Sequence, residues 1–186
     1  ADFLFLNDGK AVFRKSSWTE GGFLTPLGKP LSDAPLDWGL SAAFHDINND
    51  GLPDLYVCND FWTPDRFWIN QGDAFKLLNP ENFGKTSASS MGVDFSDYDR
   101  DGDVDLFVVD MLSRDLAMRK RQAPAQDLSD RLVNQGKYAD QVMRNTLLNN
   151  RGDGSFAELA NMAGLSASDW SWSPVFLDVD LDGYED

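Results

Sequence analysis

The sequence predicts an all-β protein built from a repeated unit, and three observations lead to that prediction. An acidic run with glycine at its sixth position occurs three times, at residues 46–54, 97–105 and 178–186. Short apolar segments of strand length flank these runs. A hairpin pattern with glycine in its turn also occurs three times, at residues 2–14, 67–75 and 146–156. Repetition on this scale is typical of architectures in which each repeat is one supersecondary unit.

The acidic run at residues 97–105 shows the pattern most clearly. It carries carboxylates at positions 1, 3, 5 and 9, counted from its first aspartate. Carboxylates this close together repel one another unless a cation lies among them. A hard divalent cation takes six to eight oxygen ligands, and glycine allows the sharp turn that brings the later ligands round. We therefore predict one Ca²⁺ in each run, about three sites in all.

The expected ligands are the side chains at positions 1, 3, 5 and 9 and the main-chain carbonyl oxygen at position 7. In the first acidic loop, residues 46–54, they are Asp46, Asn48, Asp50, Leu52 and Asp54. In the second acidic loop, residues 97–105, they are Asp97, Asp99, Asp101, Asp103 and Asp105. In the third acidic loop, residues 178–186, they are Asp178, Asp180, Asp182, Tyr184 and Asp186. Asn48 leaves the first loop one negative charge short, so we expect that loop to bind most weakly. The alternative is a set of acidic turns that hold no metal.

The spacing excludes an EF-hand, which requires a glutamate at position 12 and a helix on each side. Position 12 is Val57 in the first loop and Val108 in the second. The aspartate at position 9 instead leads directly into an apolar segment, 55–58 or 106–109. Each loop is therefore predicted to join two strands.

An apolar segment also precedes each loop, with Phe44, Phe95 or Phe176 two residues ahead of the first ligand. A hairpin of two more strands follows the first two loops, so each complete unit has four antiparallel strands. Repeated units of this kind are the blades of a β-propeller. The predicted fold class is therefore an all-β propeller of four-stranded antiparallel blades.

The chain holds about three blades' worth of strands. The predicted divisions are a half blade at 1–36, a blade at 37–86, a blade at 87–165 and the start of another at 166–186. Propellers close with typically four to eight blades, and unpaired strand edges invite association. We expect a fragment of a larger propeller, because the sequence stops at the last ligand of the third loop. Self-association of copies is the alternative.

The interval between the second and third loops contains an insertion at about 111–143. The insertion is basic, and its apolar residues have partly helical spacing. The residues concerned are Arg114, Arg119, Lys120, Arg121, Leu128, Leu132 and Val133. Two interpretations stay open, a partner-binding site and a solvated flap packed on its own blade.

Composition restricts the class of partner and the compartment. The formal net charge is −15, and three Ca²⁺ would bring it to −9, which disfavours nucleic acid and anionic membranes as partners. No apolar run is long enough to span a bilayer. Cys58 is the only cysteine, so no intrachain disulfide forms. Calcium loops of modest affinity need millimolar calcium, which predicts an extracellular, cell-surface or periplasmic location.

The loops and hairpins together carry a family resemblance. The form Asp-x-Asp/Asn-x-Asp-Gly-x-x-Asp, with phenylalanine before it and an apolar strand after it, resembles the FG-GAP/VCBS repeats of the integrin α-subunit head. The Asn-x-Gly-Asp-Gly-x-Phe hairpin and the Asp-Trp-Ser-Trp segment at 169–172 are closer to secreted relatives of the cartilage-acidic-protein type. The resemblance implies a propeller with Ca²⁺ between the first two strands of each blade. The sequence lacks a clear Phe-Gly…Gly-Ala-Pro signature, so integrin-like ligand binding is not carried over.

Three other features suggest chemistry but also have plain structural interpretations. His45 is the only histidine, and strand alternation places it opposite Phe44 in a structural or exposed position. The Arg-Gly-Asp tripeptide at 151–153 spells an adhesion motif, yet it occupies the turn that residues 71–73 fill in the preceding hairpin. The tryptophans that recur in the units favour either packing between blades or a sugar-binding surface. They are Trp38, Trp62, Trp68, Trp170 and Trp172.

Two classes of function follow from these residues. The first is a non-enzymatic, calcium-binding extracellular module for adhesion to a protein or glycan, in which the ions hold the loops in shape. The second is part of a secreted propeller enzyme that acts on polysaccharide. Glycoside hydrolysis requires a pair of carboxylates outside the metal loops. The acids outside the loops are scattered, so we nominate no catalytic residue and favour the binding module.

Overall fold

The structure is a computed structural model that describes residues 3–61, 63–122 and 141–186. Its first part begins with β1 (Phe5–Asn7), β2 (Phe13–Lys15) and β3 (Phe23–Leu24). It continues with β4 (Gly39–His45), β5 (Asp54–Asn59), β6 (Arg66–Asn70), β7 (Phe75–Leu77) and the short helix α1 (Pro80–Phe83). The second part holds β8 (Thr86–Ser87), β9 (Gly92–Ser96), β10 (Asp105–Val109) and the helix α2 (Leu116–Gln122). The last described strands are β11 (Gln141–Val142), β12 (Thr146–Asn150) and β13 (Phe156–Glu158).

Two of the sheets have the order expected of propeller blades. β9, β10, β12 and β13 form a four-stranded antiparallel sheet in that spatial order. β4, β5, β6 and β7 form the same antiparallel arrangement. In both sheets an acidic loop joins the first and second strands, and a hairpin supplies the third and fourth. The all-β prediction is therefore confirmed, and the described strands are arranged as in a propeller without closing into a barrel.

The sheet that contains β4 to β7 differs from the prediction because it has a fifth strand. β3 lies between the first hairpin and β4, where the sequence analysis predicted no strand, and it pairs with β7 in parallel. The ring of Phe23 is completely buried against Trp68, with 5.1 Å between centroids. An aromatic side chain anchored in this way holds its main chain along the sheet edge, where Phe75 N donates to Gly22 O at 2.9 Å. The added strand covers an edge that would otherwise be unpaired.

The third unit forms only the beginning of its predicted strand pair. Phe176 was expected in a strand but lies outside any strand. In the two complete sheets the partner of this segment is the strand that follows the loop, and a strand is defined by such pairing. The third unit makes the first step of that pairing, because Asp186 N donates to Leu177 O at 3.0 Å. This pair corresponds to His45 and Asp54, which begin the β4–β5 ladder.

β5 is buried on both faces, which explains its continuous apolar sequence. Tyr56 and Cys58 belong to a core cluster shared with Leu106 and other residues of the second sheet. Leu55 and Val57 belong to a second cluster on the opposite face, around Trp68. Successive side chains of a strand point to opposite faces, so a blade packed between two neighbours needs apolar residues at every position.

The described part of the insertion contains one short helix and several of its basic residues. α2 spans Leu116–Gln122 and buries none of its residues. Arg114 donates to Ala167 O at 2.8 Å, and Arg119 donates to Ser113 O, so two of the basic side chains bond to main-chain carbonyls. Leu128, Leu132 and Val133 lie outside the described residues.

Asp65 is the centre of a buried network at the end of the sheets opposite the acidic loops. It accepts hydrogen bonds from the hydroxyls of Tyr56 and Ser90, both at 2.7 Å, and from Asn59 N at 2.8 Å. Ser90 directly precedes the second sheet, so the network joins the two blades. Burial raises the pKa of Asp65 from 3.8 to about 7, against the opposing effect of these donors.

We expect Asp65 to make the protein less stable as the pH rises. Its folded-state pKa lies above its unfolded value, so its contribution is complete below about pH 4 and is lost as the pH rises through about 7. Asp65→Asn should flatten the dependence of the unfolding free energy on pH between about pH 5 and pH 8. The measurement is urea unfolding at both pH values in saturating calcium. An unchanged pH dependence in the variant would show that Asp65 is not the titrating group.

Candidate metal centres

The three acidic loops share one backbone conformation although their sequences differ. Position 4 is left-handed in every loop, with φ of 56° at Asn49, 65° at Arg100 and 65° at Leu181. The glycine at position 6 has φ between 86° and 94° in all three. Glycine alone adopts this last conformation without strain, so the backbone of the turn explains why glycine stands at position 6 in all three loops.

The aspartate at position 1 closes each loop from within. In the second loop, Asp97 accepts hydrogen bonds from Asp101 N and Gly102 N, both at 3.0 Å. Asp46 and Asp178 accept the corresponding pair of bonds at 2.8 to 3.1 Å. The carboxylate at position 5 accepts a bond from the amide of position 7 at 2.9 Å in every loop. These bonds turn the chain so that position 9 returns beside position 1.

Carboxylate oxygens converge in the second and third loops. One oxygen from each of positions 1, 3 and 9 lies within 4.8 Å of the other two. The residues are Asp97, Asp99 and Asp105 in the second loop and Asp178, Asp180 and Asp186 in the third. Asp101 and Asp182 at position 5 are not in these clusters and bond to the amide of position 7. In the first loop Asn48 stands at position 3, and its amide donates to Asp50 Oδ2 at 3.0 Å.

Asp105 is the buried member of the second cluster. Its side chain has no exposed surface, and its Oδ2 has no hydrogen-bond partner among the described residues. Burial raises the pKa of Asp105 to about 7, and the charges of Asp99 and Asp101 act in the same direction, against the hydrogen bond from Asn150 N. Buried polar atoms are normally paired. A cation would satisfy this oxygen, and a donor set made only of oxygens fits Ca²⁺.

An asparagine at the end of the third strand ties the first and second loops to their blades, a role that the sequence analysis missed. Asn70 N donates to Asp54 Oδ1 at 2.7 Å, and Asn150 N donates to Asp105 Oδ1 at 2.8 Å. Each asparagine side chain also donates to the carbonyl of loop position 8, at 3.0 and 3.2 Å. The available signal was the Asn-x-Gly motif, which recurs at residues 7–9, 70–72 and 150–152.

Asn149 adds a link that exists in the second loop but not in the first. Its amide donates to Asp99 Oδ2 at 2.8 Å and to Asp105 Oδ1 at 3.2 Å. The corresponding residue of the first blade is Ile69, which offers no such donor. Hydrogen bonds of this kind orient the carboxylates that contact a metal.

The remaining residues singled out in the sequence lie in structural positions. The His45 ring is exposed and stacks on Phe95 with 5.0 Å between centroids, which agrees with the structural interpretation. The Arg-Gly-Asp tripeptide lies in the turn between β12 and β13, where Arg151 N donates to Ser155 O at 3.0 Å. The turn interpretation of the tripeptide is confirmed.

The tryptophans divide into two groups. Trp68 has no exposed surface and packs in the core, as the packing interpretation predicted. Trp38, Trp170 and Trp172 are 61 to 66% exposed. Trp170 and Trp172 stack on each other with 6.1 Å between centroids. Trp62 lies outside the described residues.

We expect Asn150→Ala to destabilise the protein by about 1–3 kcal/mol, because it leaves buried main-chain groups without partners. The variant loses bonds to Val104 O and Ile47 O and the bond from Gly152 N. Asn7→Ala is the matched control, since Asn7 occupies the same position of the first hairpin and accepts a bond from Gly9 N at 3.1 Å. Urea unfolding should show the larger loss for Asn150→Ala. Equal losses would contradict a special role of Asn150.

Comparisons with known proteins agree with this geometry. Residues 46–108 match the family model of the FG-GAP-like repeat. The matched segment covers about a third of the chain and contains the first loop, the strands β5 to β9, the second loop and most of β10. No curated protein matches the sequence significantly. The family match supports the FG-GAP repeat for this part of the chain.

Proposed function

We propose that the protein is a calcium-binding extracellular propeller module that binds a protein or a glycan. The observation that carries the proposal is the convergence on Asp105. A fully buried carboxylate with an unpaired oxygen lies within 4.8 Å of oxygens from two further aspartates. Such a cluster is favourable when a divalent cation neutralises it. The FG-GAP-like match covers the first and second loops, and the repetition of the motif supports the same assignment for the third.

The ions have a structural role in this proposal. A site of four side chains and one carbonyl leaves little room for substrate, whereas catalytic metals keep an open coordination position. The position 9 aspartate contacts the third strand as well as the cluster, so an ion held there joins the loop to the body of the blade. Its binding free energy therefore adds to the stability of the fold.

The enzyme alternative finds no comparable support. Among the residues that the structure describes, the buried carboxylates outside the loops are Asp65 and Asp110, and both accept hydrogen bonds from serine hydroxyls and main-chain amides. Both lie beneath the surface, with at most 2% exposed. We therefore propose a non-enzymatic protein with no catalytic residue.

The proposed partner is an extracellular, cell-surface or periplasmic protein or glycan. The net charge of −15 makes nucleic acid an unfavourable partner. In the part of the chain that the structure describes, no helix has the length and apolar character to cross a membrane. Apolar side chains of the first hairpin, such as Phe5, Leu6 and Phe13, are 53 to 60% exposed. These side chains support contact with further blades of the same polypeptide or with another copy.

Calcium should reverse the effect of Asp105→Asn on stability. Without divalent cations the substitution removes a buried charge, so the variant should melt at a higher temperature than the wild type in EDTA. In millimolar calcium it removes a ligand, so the variant should melt at a lower temperature. The wild type should gain about 2.7 kcal/mol per site at a hundredfold excess over the dissociation constant.

Asp110→Asn is the control for this experiment, because Asp110 is a buried carboxylate outside the loops. Its effect on the melting temperature should have the same sign with and without calcium. The measurement is differential scanning calorimetry of the three proteins in both buffers. A wild-type melting curve that calcium leaves unchanged would contradict the proposed metal sites.

The exposed indoles allow a choice between the two classes of partner. A soluble neutral β-glucan oligosaccharide that stacks on Trp170 and Trp172 should shift tryptophan emission to shorter wavelength. The double substitution of both residues by alanine should abolish the shift. Acidic monosaccharides serve as controls, because they offer no extended neutral ring surface. If the wild type shows no shift, the glycan assignment for this surface is wrong and the protein partner is favoured.

A further inference from the structure

The first and second acidic loops each contact the following loop through the side chain at position 4. Asn49 of the first loop donates to Gly102 O of the second at 3.4 Å. Arg100 of the second loop places its guanidinium carbon 3.3 Å from the ring centroid of Tyr184 in the third. Both contacting residues, Asn49 and Arg100, have the left-handed backbone conformation. The three loops therefore form a connected row along one end of the blades.

The contact of Arg100 falls on a residue expected to bind metal through its main chain. Tyr184 occupies position 7 of the third loop, where the carbonyl oxygen is the expected ligand. Its amide donates to Asp182 Oδ1 at 2.9 Å, so the loop already holds the peptide unit that precedes the expected ligand carbonyl. The tyrosine ring is 47% exposed, and the guanidinium group covers one face of it.

We propose that Arg100 is a positioning residue for the third metal site, although it belongs to the second loop. This inference rests on the proposed calcium sites. By holding the ring of Tyr184, Arg100 reduces the freedom of the main chain that presents the carbonyl ligand. Restricting a ligand before binding reduces the ordering that accompanies binding.

Arg100 also connects the two sites thermodynamically. Its backbone belongs to the turn that Asp97 closes, so an ion in the second loop restricts the arginine as well. A restricted Arg100 favours the ordered position of Tyr184, and the third site then binds more tightly. Coupling between binding sites is reciprocal, so an ion in the third loop strengthens binding in the second by the same factor.

Calcium titration followed by NMR can test this inference site by site. The amides of Gly51, Gly102 and Gly183 each donate to the position 1 carboxylate of their own loop, so each reports one site. Arg100→Ala should weaken binding at Gly183 by about two- to fivefold, the range expected from an exposed cation–π contact. Binding reported by Gly51 should be unchanged. Arg100→Lys should recover part of the affinity, because an ammonium group also interacts with the ring face.

Leu181→Ala is the matched control. Leu181 has the same position and backbone conformation in the third loop, and its side chain is 85% exposed. It should leave the affinity at Gly183 unchanged. The inference is overturned if Arg100→Ala has no effect at Gly183, if it weakens all three sites equally, or if Leu181→Ala has the same effect. Failure of the proposed function is distinguishable, because the wild type would then show no calcium response at any of the three glycines.

Discussion

The hydrogen bond between the position 9 aspartate and the third strand is the interaction on which the rest of the structure depends. Asp54 and Asp105 each begin the second strand of a blade, and each accepts a bond from the amide of an asparagine in the third strand. The aspartate is thus part of the sheet and part of the acidic loop at once. It is almost completely buried in both blades, at 1% and 0% exposed. An ion bound in the loop therefore acts directly on the sheet.

At the end of the blades opposite the acidic loops, an asparagine and an aspartate join the second strand to the third in each blade. The two residue types are swapped between the blades. Asn59 N donates to Asp65 Oδ1 in the first blade, and Asp110 N donates to Asn145 Oδ1 in the second, both at 2.8 Å. The same bond between the second and third strands is kept while the asparagine and the aspartate change places. Each blade therefore places a buried carboxylate in this connection, stabilised by several donors rather than by an opposite charge. The two ends of a blade differ in their carboxylates, since three converge at the loop end of the second blade and each one at the opposite end is surrounded by its own hydrogen-bond donors.

The loop residues could be predicted from the sequence because their chemistry is local. The amides of positions 5 and 6 both donate to the carboxylate of position 1 in the same turn, and the left-handed backbone of Gly102 belongs to that turn. The strands on either side were predictable because apolar residues continue through β5 and β10. The role of Asn150 was missed, because its partners Asp105 and Ile47 are distant in sequence and become neighbours only in the folded sheet. The fifth strand β3 was missed for a related reason, since two residues carry little pattern and their pairing depends on the pocket that receives Phe23.

The sequence by itself determined the β class, the strand–loop–strand order and the aspartates of each loop, because these depend on residue type and on spacing within about ten residues. Tertiary structure decided which carboxylates converge, which oxygen of Asp105 is left unpaired, and how Arg100 of one loop meets Tyr184 of the next. Those features arise where separate blades and loops pack side by side. The burial of a side chain and the approach of one loop to another depend on that packing, so the spacing of residues within one repeat does not predict them.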